Sequence, residues 1–268
     1  MATKENARSN SEPESAAVHL CLQGKGGVGK SLVASILVQY FLSKDRMVHP
    51  VDTDPVNQTL SQYKSLGAQT LKLMREGRVD QREFDVLLER LLTESGTYVV
   101  DSGASTFIPL WYYILENNVF DCLAKSGRRL VVHTVITGGQ ALNDTLSGFN
   151  QLGESSCDRN LLVWSNEFFG QVRDAEGTSF PEMAVYRKHA AKVLGTVSIL
   201  RRNQDTFGRD VEEMIAAKLT FEEALRDGKF SIMAKQRLKI VRDDLFEQLN
   251  ALALLDGMKA EIGGNSPN

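Results

Sequence analysis

Eight residues, Gly24-Lys25-Gly26-Gly27-Val28-Gly29-Lys30-Ser31, limit the folds open to this chain more than any other stretch. They match G-x-x-x-x-G-K-[ST], a pattern that works where a strand delivers the chain to a tight turn and a helix carries it away. Both flanks agree: residues 17–23 read as an apolar strand and residues 31–42 as an apolar-periodic helix. The glycines let backbone approach a phosphate without Cβ clashes. Free N–H groups at the helix start point at the anion. Lys30 is expected to reach the β- and γ-phosphates and the Ser31 hydroxyl to ligate Mg²⁺. Gly24, Lys25, Gly26, Gly27, Val28, Gly29, Lys30, Ser31 and Leu32 are the expected nucleotide-binding run. ATP or ADP with Mg²⁺ is the expected ligand.

Further strands are expected at residues 47–52, 98–101, 130–136, 161–165 and 194–199, with helical patterns between them, the clearest at residues 82–92. From Thr206 onward only helical patterns occur. Strands alternating with helices predict an α/β fold: a single doubly wound, mostly parallel sheet with helices on both faces. The expected organisation is a flexible polar tail over residues 1–16, one domain over 17–256 and a flexible tail over 257–268. The start is rich in Ser and Glu and has no apolar signal core, and no run is long enough for a membrane span. Cys21, Cys122 and Cys157 are odd in number and far apart, which predicts reduced thiols in a cytoplasmic protein. His19, His49, His133 and His189 are isolated and read as packing or surface residues. The formal net charge of −3 gives no global field to attract DNA or anionic lipid.

Two acidic strand ends stand out. Val51-Asp52-Thr53-Asp54-Pro55 closes the second strand, at the carboxyl edge where open α/β sheets bind ligands. Asp-Pro also starts turns, and both readings can hold at once. Tyr98-Val99-Val100-Asp101 resembles a Walker B strand, whose Asp101 would hold Mg²⁺ through water or through Ser31. Gly103 offers flexibility to the segment that follows. Taken alone, Lys25 reads as a solvated lysine on an exposed turn, and Asn166 as a strand-end cap.

The run K-G-G-V-G-K-S, however, resembles the deviant Walker A sequence of the MinD/ParA family. That resemblance implies that Lys30 serves its own nucleotide and Lys25 crosses a dimer interface to the partner's. It implies that Asp54 positions or activates the hydrolytic water, that Asp54 stands near the metal with Ser31 and Asp101, and that Asn166 meets the adenine. Further stretches are similar to the TraL family of conjugative plasmid-transfer proteins: VDTDPVNQTLSQYKSL, VVDSGAS, LVVHTVITGGQALNDTLSGF, DTFGRDVEEM, LTFEEAL and MAKQRLKIVRDDLFEQL. Of these, ITGGQALNDTLSGF and MAKQRLKIVRDDLFEQL are the discriminating ones. The resemblance implies an ATP-dependent homodimer of low intrinsic turnover. It would assist DNA transfer or plasmid maintenance beside a protein of that machinery, in the cytoplasm or peripheral to a transfer complex at the inner membrane.

Two other readings remain open: a ParA-type partition ATPase that binds DNA non-specifically, and a nucleotide sensor without catalysis. Lys235, Arg237, Lys239 and Arg242 on the last long helix, with Arg201 and Arg202, form the basic cluster a DNA reading would need. A solvated helix face is the plainer account. The C-terminal stretch LFEQLNALALLDGMKAEIGGNSPN is acidic to neutral on its polar face, which argues against direct membrane insertion. No cysteine follows Asp101 closely, so an iron–sulfur cluster is not expected. Ile108 to Tyr113 is an aromatic-rich run that reads either as packing under the sheet or as a partner surface.

Overall fold

All seven strands of the main sheet run parallel. The computed structural model describes residues 17–71, 73–75, 78–80, 82–156 and 159–252. The expected tails at 1–16 and 257–268, and Cys157, lie outside the described residues. In chain order the elements are β1 (Ala17–Cys21), α1 (Lys30–Leu42), β2 (Val48–Asp52), β3 (Gln69–Thr70) and a short antiparallel hairpin of β4 (Met74–Arg75) and β5 (Arg78–Val79). Then come α2 (Arg82–Thr93), β6 (Thr97–Asp101), α3 (Phe107–Glu116), α4 (Val119–Lys125), β7 (Arg129–Thr137) and α5 (Leu142–Ser155). The chain ends with β8 (Leu161–Asn166), α6 (Ala184–His189), β9 (Val193–Ile199), α7 (Arg209–Ala216), α8 (Phe221–Arg226) and α9 (Ile232–Ala251).

The sheet order is β3-β2-β6-β1-β7-β8-β9. β1 is central, and the chain winds to one side of it and then to the other. Such a reversal opens a crevice at the strands' carboxyl ends. Apolar runs such as LVVHTVI are explained by two covered faces. On β7, Leu130, Val132 and Ile136 join the core under α2 to α5, while Val131 and Val135 join the core under α1, α7, α8 and α9. β8 alternates likewise, with Leu161 and Val163 on one side and Leu162 and Trp164 on the other. α1 is apolar nearly all round and is buried to match, from Val33 to Phe41. The outer strand β9 is blunted by Gln248 of α9, which accepts from the Ser198 N–H at 2.7 Å and donates to its carbonyl at 3.1 Å.

The α1 side of the sheet also holds a polar chain across three strands. Trp164 Nε1 donates to His133 Nδ1 at 3.0 Å, and His133 Nε2 lies 2.9 Å from His19 Nδ1. Indole is a donor only, so His133 Nδ1 must accept, and its proton sits on Nε2. His133 then donates to His19, whose own proton is left on Nε2, a buried atom without a partner. Burial drives both rings to the neutral form. His19 falls from 6.5 to about 3, with Arg129 adding to the effect, and His133 falls well below its usual value, with His19 adding. The unfolded chain binds these protons first as pH drops. Stability from the pair is therefore complete above pH 6.5 and is lost as pH falls toward about 3. Nitrogen-15 NMR of the imidazoles tests this. Both rings should show the neutral Nε2–H tautomer at pH 7 and keep it at pH 5; titration of either ring near pH 6 contradicts the arrangement.

Candidate functional site

The glycine loop leaves β1 at the crevice, and its shape depends on two residues. Gly27 has φ 76° and Gly29 has φ 103°, both in the left-handed region that side chains disfavour. A Cβ on Gly29 would also stand 2.9 Å from Asn166 Nδ2. Gly26, by contrast, faces open space. Gly29 accepts the first helical bond from Val33 at 2.9 Å, so α1 begins directly beneath the turn. The N–H groups of a helix's first turn have no carbonyl partner, and those of Lys30, Ser31 and Leu32 stand in that turn.

The two lysines of the loop have different surroundings. Lys30 is 8% exposed, and its Nζ donates to the Lys25 carbonyl at 3.0 Å. Burial pulls its pKa down, while Asp101 and Asp54 oppose the drop. Lys25 instead turns to the surface, where its Nζ lies 2.7 Å from Asp144 Oδ2 on the first turn of α5. That pair is about half exposed on both sides (45% and 55%). Asp144 was not among the residues expected from the sequence, although it lies inside ITGGQALNDTLSGF. One glycine of that stretch is also accounted for: a Cβ on Gly138 would come within 2.3 Å of the Gln171 carbonyl, because the loop after Asn166 crosses over it.

The acidic residues converge on the same edge. Asp101 is fully buried, and neither carboxylate oxygen receives a hydrogen bond of ordinary geometry, though the Ser31 hydroxyl faces it. Burial pushes its pKa up to about 7; Asp52 and Asp54 add to the rise, while Ser31 and Lys30 oppose it. Asp52, also buried, accepts from the Asp54 and Ser61 N–H groups at 3.1 and 2.9 Å and so shapes the loop, as a support residue. Its pKa is raised, chiefly by burial, with those hydrogen bonds opposing. Thr53 binds the Asp101 carbonyl through both its N–H (2.8 Å) and its hydroxyl (2.9 Å), fastening the two acidic loops together. Asp54 Oδ1 accepts from Val56 and Asn57 N–H groups at 2.9 and 3.2 Å, whereas Oδ2 has only a 3.4 Å contact with Asn57 Nδ2. Gly103 serves close approach rather than flexibility, since a Cβ there would stand 2.8 Å from Asp54 Oδ1.

A hard divalent cation fits this corner. Asp101 and Ser31 offer a donor-free carboxylate and a hydroxyl, oxygen ligands of the kind Mg²⁺ takes. Asp54 is the less available of the three expected metal residues, because Oδ1 is already held by its own turn. Among the described residues no group of three or more His, Cys, Asp or Glu side chains could hold a metal by itself. Phosphate oxygens and water would have to complete the coordination of a Mg²⁺ ion here. Asn166 is buried and braces the loop: its amide donates to the Val28 carbonyl at 3.0 Å, and its oxygen accepts from the Phe168 N–H at 3.1 Å.

Three of the six cations in the basic cluster are paired within the fold. Arg237 pairs with Asp210 at 2.5 Å, Arg242 with Glu222 and Asp243 at 2.5 and 2.8 Å, and Arg202 with Asp244 at 2.9 Å. Only Lys235 and Lys239 of the α9 cluster stand outside ion pairs among the described residues. The aromatic run divides: Leu110, Trp111 and Tyr113 are buried, while Ile108 and Tyr112 face outward. Among the described residues no helix is long and apolar enough to cross a membrane.

A strand, a glycine turn in left-handed geometry, a helix, an inward lysine and a buried carboxylate facing the helix's first hydroxyl define a P-loop nucleotide-binding domain. The chain belongs to the CobQ/CobB/MinD/ParA nucleotide binding domain family, which it matches over residues 20–251, and within that family to the TraL proteins. Two Escherichia coli proteins, each called Protein TraL, are 44% and 42% identical to it over 241 residues, or 90% of this chain and 100% of theirs. The MinD cell division protein of Aquifex aeolicus shares the fold at 15% identity, with a TM-score of 0.51 over 88% of this chain and 98% of that one. The MinC:MinD complex of the same organism gives 0.52 at 13% identity, over 88% of this chain and 96% of that one.

The loop geometry yields a contrast. Gly29→Ala should abolish nucleotide binding and lower unfolding free energy by about 1–3 kcal/mol, from the strained φ alone. Gly26→Ala should leave stability within about 0.5 kcal/mol, as expected for a substitution into open space. Urea denaturation and calorimetric titration with ATP check both.

Proposed function

We propose that this protein is an ATP-driven dimer switch that serves conjugative plasmid transfer or plasmid maintenance. The observation that carries the reading is the opposite disposition of the two loop lysines. Lys30 points inward, between loop and acids, while Lys25 ends at the surface in an exposed pair with Asp144. An ion pair this exposed is worth about 0.2–1 kcal/mol, so Lys25 is held in place yet easily released. Released, it can reach the triphosphate of a second subunit and offset charge that develops in the transition state.

The remaining residues divide the work. Backbone N–H groups and Lys30 grip the β- and γ-phosphates, and Ser31 and Asp101 hold the cation. Mg²⁺ there supplies charge neutralisation at the phosphate oxygens. Asp54 Oδ2, which has only one long contact, orients water for attack on the γ-phosphate. Asn166 keeps the loop in shape for the nucleotide through its bond to the Val28 carbonyl, and is the residue we assign to meet the adenine. Turnover is slow in a lone subunit, because the site is complete only in the pair. Hydrolysis opens the pair and releases a partner of the transfer machinery. The TraL relatives support the transfer role, and the paired arginines weaken a DNA-coating one.

A sensor without catalysis is the second reading, favoured by one fact: Asp54 Oδ1 caps its own turn. Asp54→Asn keeps the side-chain oxygen for that turn and removes the charge. Under the switch reading it should cut hydrolysis at least tenfold with ATP binding retained; unchanged hydrolysis would remove Asp54 from the chemistry, and a parent that binds ATP but does not hydrolyse it at high protein concentration would leave only the sensor.

Two variants test the lysines directly. Lys25→Ala should bind ATP within about threefold of the parent and lose hydrolysis. Asp144→Ala should pair at several-fold lower protein concentration with a non-hydrolysable ATP analogue, as read by light scattering after size exclusion. ATP cleavage per molecule that is indifferent to dilution, together with full activity of Lys25→Ala, ends the dimer reading.

A further inference from the structure

Two residues before Lys25, Gln23 is fully buried and joins three elements. Its Nε2 donates to the Val135 carbonyl at 3.0 Å and approaches Thr134 Oγ1 at 3.4 Å, both on β7, and it donates to the Thr145 carbonyl on α5 at 3.2 Å. Three oxygens around one nitrogen fix which way the amide points. The other end, Oε1, is buried with no donor. It lies against α5 at Gly148, where a Cβ would stand 2.1 Å from it. Thr145 is locked in turn: its hydroxyl donates to the Leu142 carbonyl at 2.8 Å and accepts from the Thr137 N–H at 3.3 Å.

An apolar residue of this size would fill the same space and leave no carbonyl stranded. What the amide adds is a fixed distance between the base of the phosphate loop and the first turns of α5. Asp144 immediately precedes Thr145, and Lys25 lies two residues beyond Gln23, so two rungs connect loop and helix. The inner rung is neutral and buried. The outer rung is ionic and exposed.

We propose that Gln23, seated on Gly148, is a positioning residue that sets Asp144 against Lys25 and so fixes the resting place of the outward lysine. This deepens the switch reading and rests on it for its purpose. The inner rung keeps α5 docked while the outer one opens and closes. Gly148 is required because only a residue without a Cβ lets the amide lie flat on the helix.

The test is amine acylation of the full-length, nucleotide-free protein, followed residue by residue with mass spectrometry. Asp144→Ala should raise the Lys25 rate about threefold, the size expected from an exposed ion pair. Gln23→Ala with Gly148→Ala, in which the one new methyl, on residue 148, enters space vacated by the amide oxygen, should raise it equally. Lys64 and Lys125, exposed elsewhere, should not change. Adding Asp144→Ala to that double variant should bring no further rise. Gly148→Ala alone is expected to fold poorly, and the double variant relieves the clash. A Lys25 rate in the double variant equal to the parent's, a further full rise in the triple variant, or no effect of Asp144→Ala would each overturn the proposal. Failure of the switch reading shows separately, as absence of pairing in the light-scattering experiment.

Discussion

Asp101 ends a strand that is buried from Tyr98 onward; among the described residues its carboxylate is faced by the Ser31 hydroxyl but receives no hydrogen bond of ordinary geometry, and much of the crevice is arranged around it. Left alone, a charge in that place is costly, which is why its pKa climbs to about 7. Lys30 and Ser31 come from the helix start on one side, and Thr53 ties the neighbouring loop to the strand's last carbonyl on the other. Asp52 and Asp54 add negative charge to the same corner. The result is an excess of anion that a cation brought with phosphate can neutralise. Site and ligand are complementary in charge before any conformational change occurs.

The phosphate loop was legible because its chemistry is local. Glycine is the residue that tolerates φ values of 76° and 103°, and the lysine and serine must follow within two positions. Six of the seven sheet strands were legible as apolar runs, since a parallel strand covered on both faces has few polar residues. The edge strand Gln69–Thr70 carried no such signal: it is two exposed residues, strand only by virtue of pairing with Val51 and Asp52.

The features that stayed hidden in the sequence share a cause. Asp144 in the first turn of a helix looks like ordinary complement to the helix dipole, and its pairing with Lys25 is a contact between distant segments. The α9 cations were visible in the sequence, but their partners Asp210 and Glu222 sit on α7 and α8, where only folding brings them close. Gly103 looked like a hinge, since composition cannot distinguish freedom of φ from lack of room for a Cβ. Gln23 gave no signal at all, being one uncharged residue beside a loop that draws all attention.

The brace from Asn166 to the Val28 carbonyl spans 138 residues. β1 is likewise flanked by β6 and β7, which arrive long after it in the chain. During synthesis, then, the glycine turn emerges from the ribosome early, with only its local bonds to shape it, and its long-range brace waits for the eighth strand. Nascent chains stopped short of that point carry the whole eight-residue motif without this brace, which forms only once more than half of the polypeptide has been made.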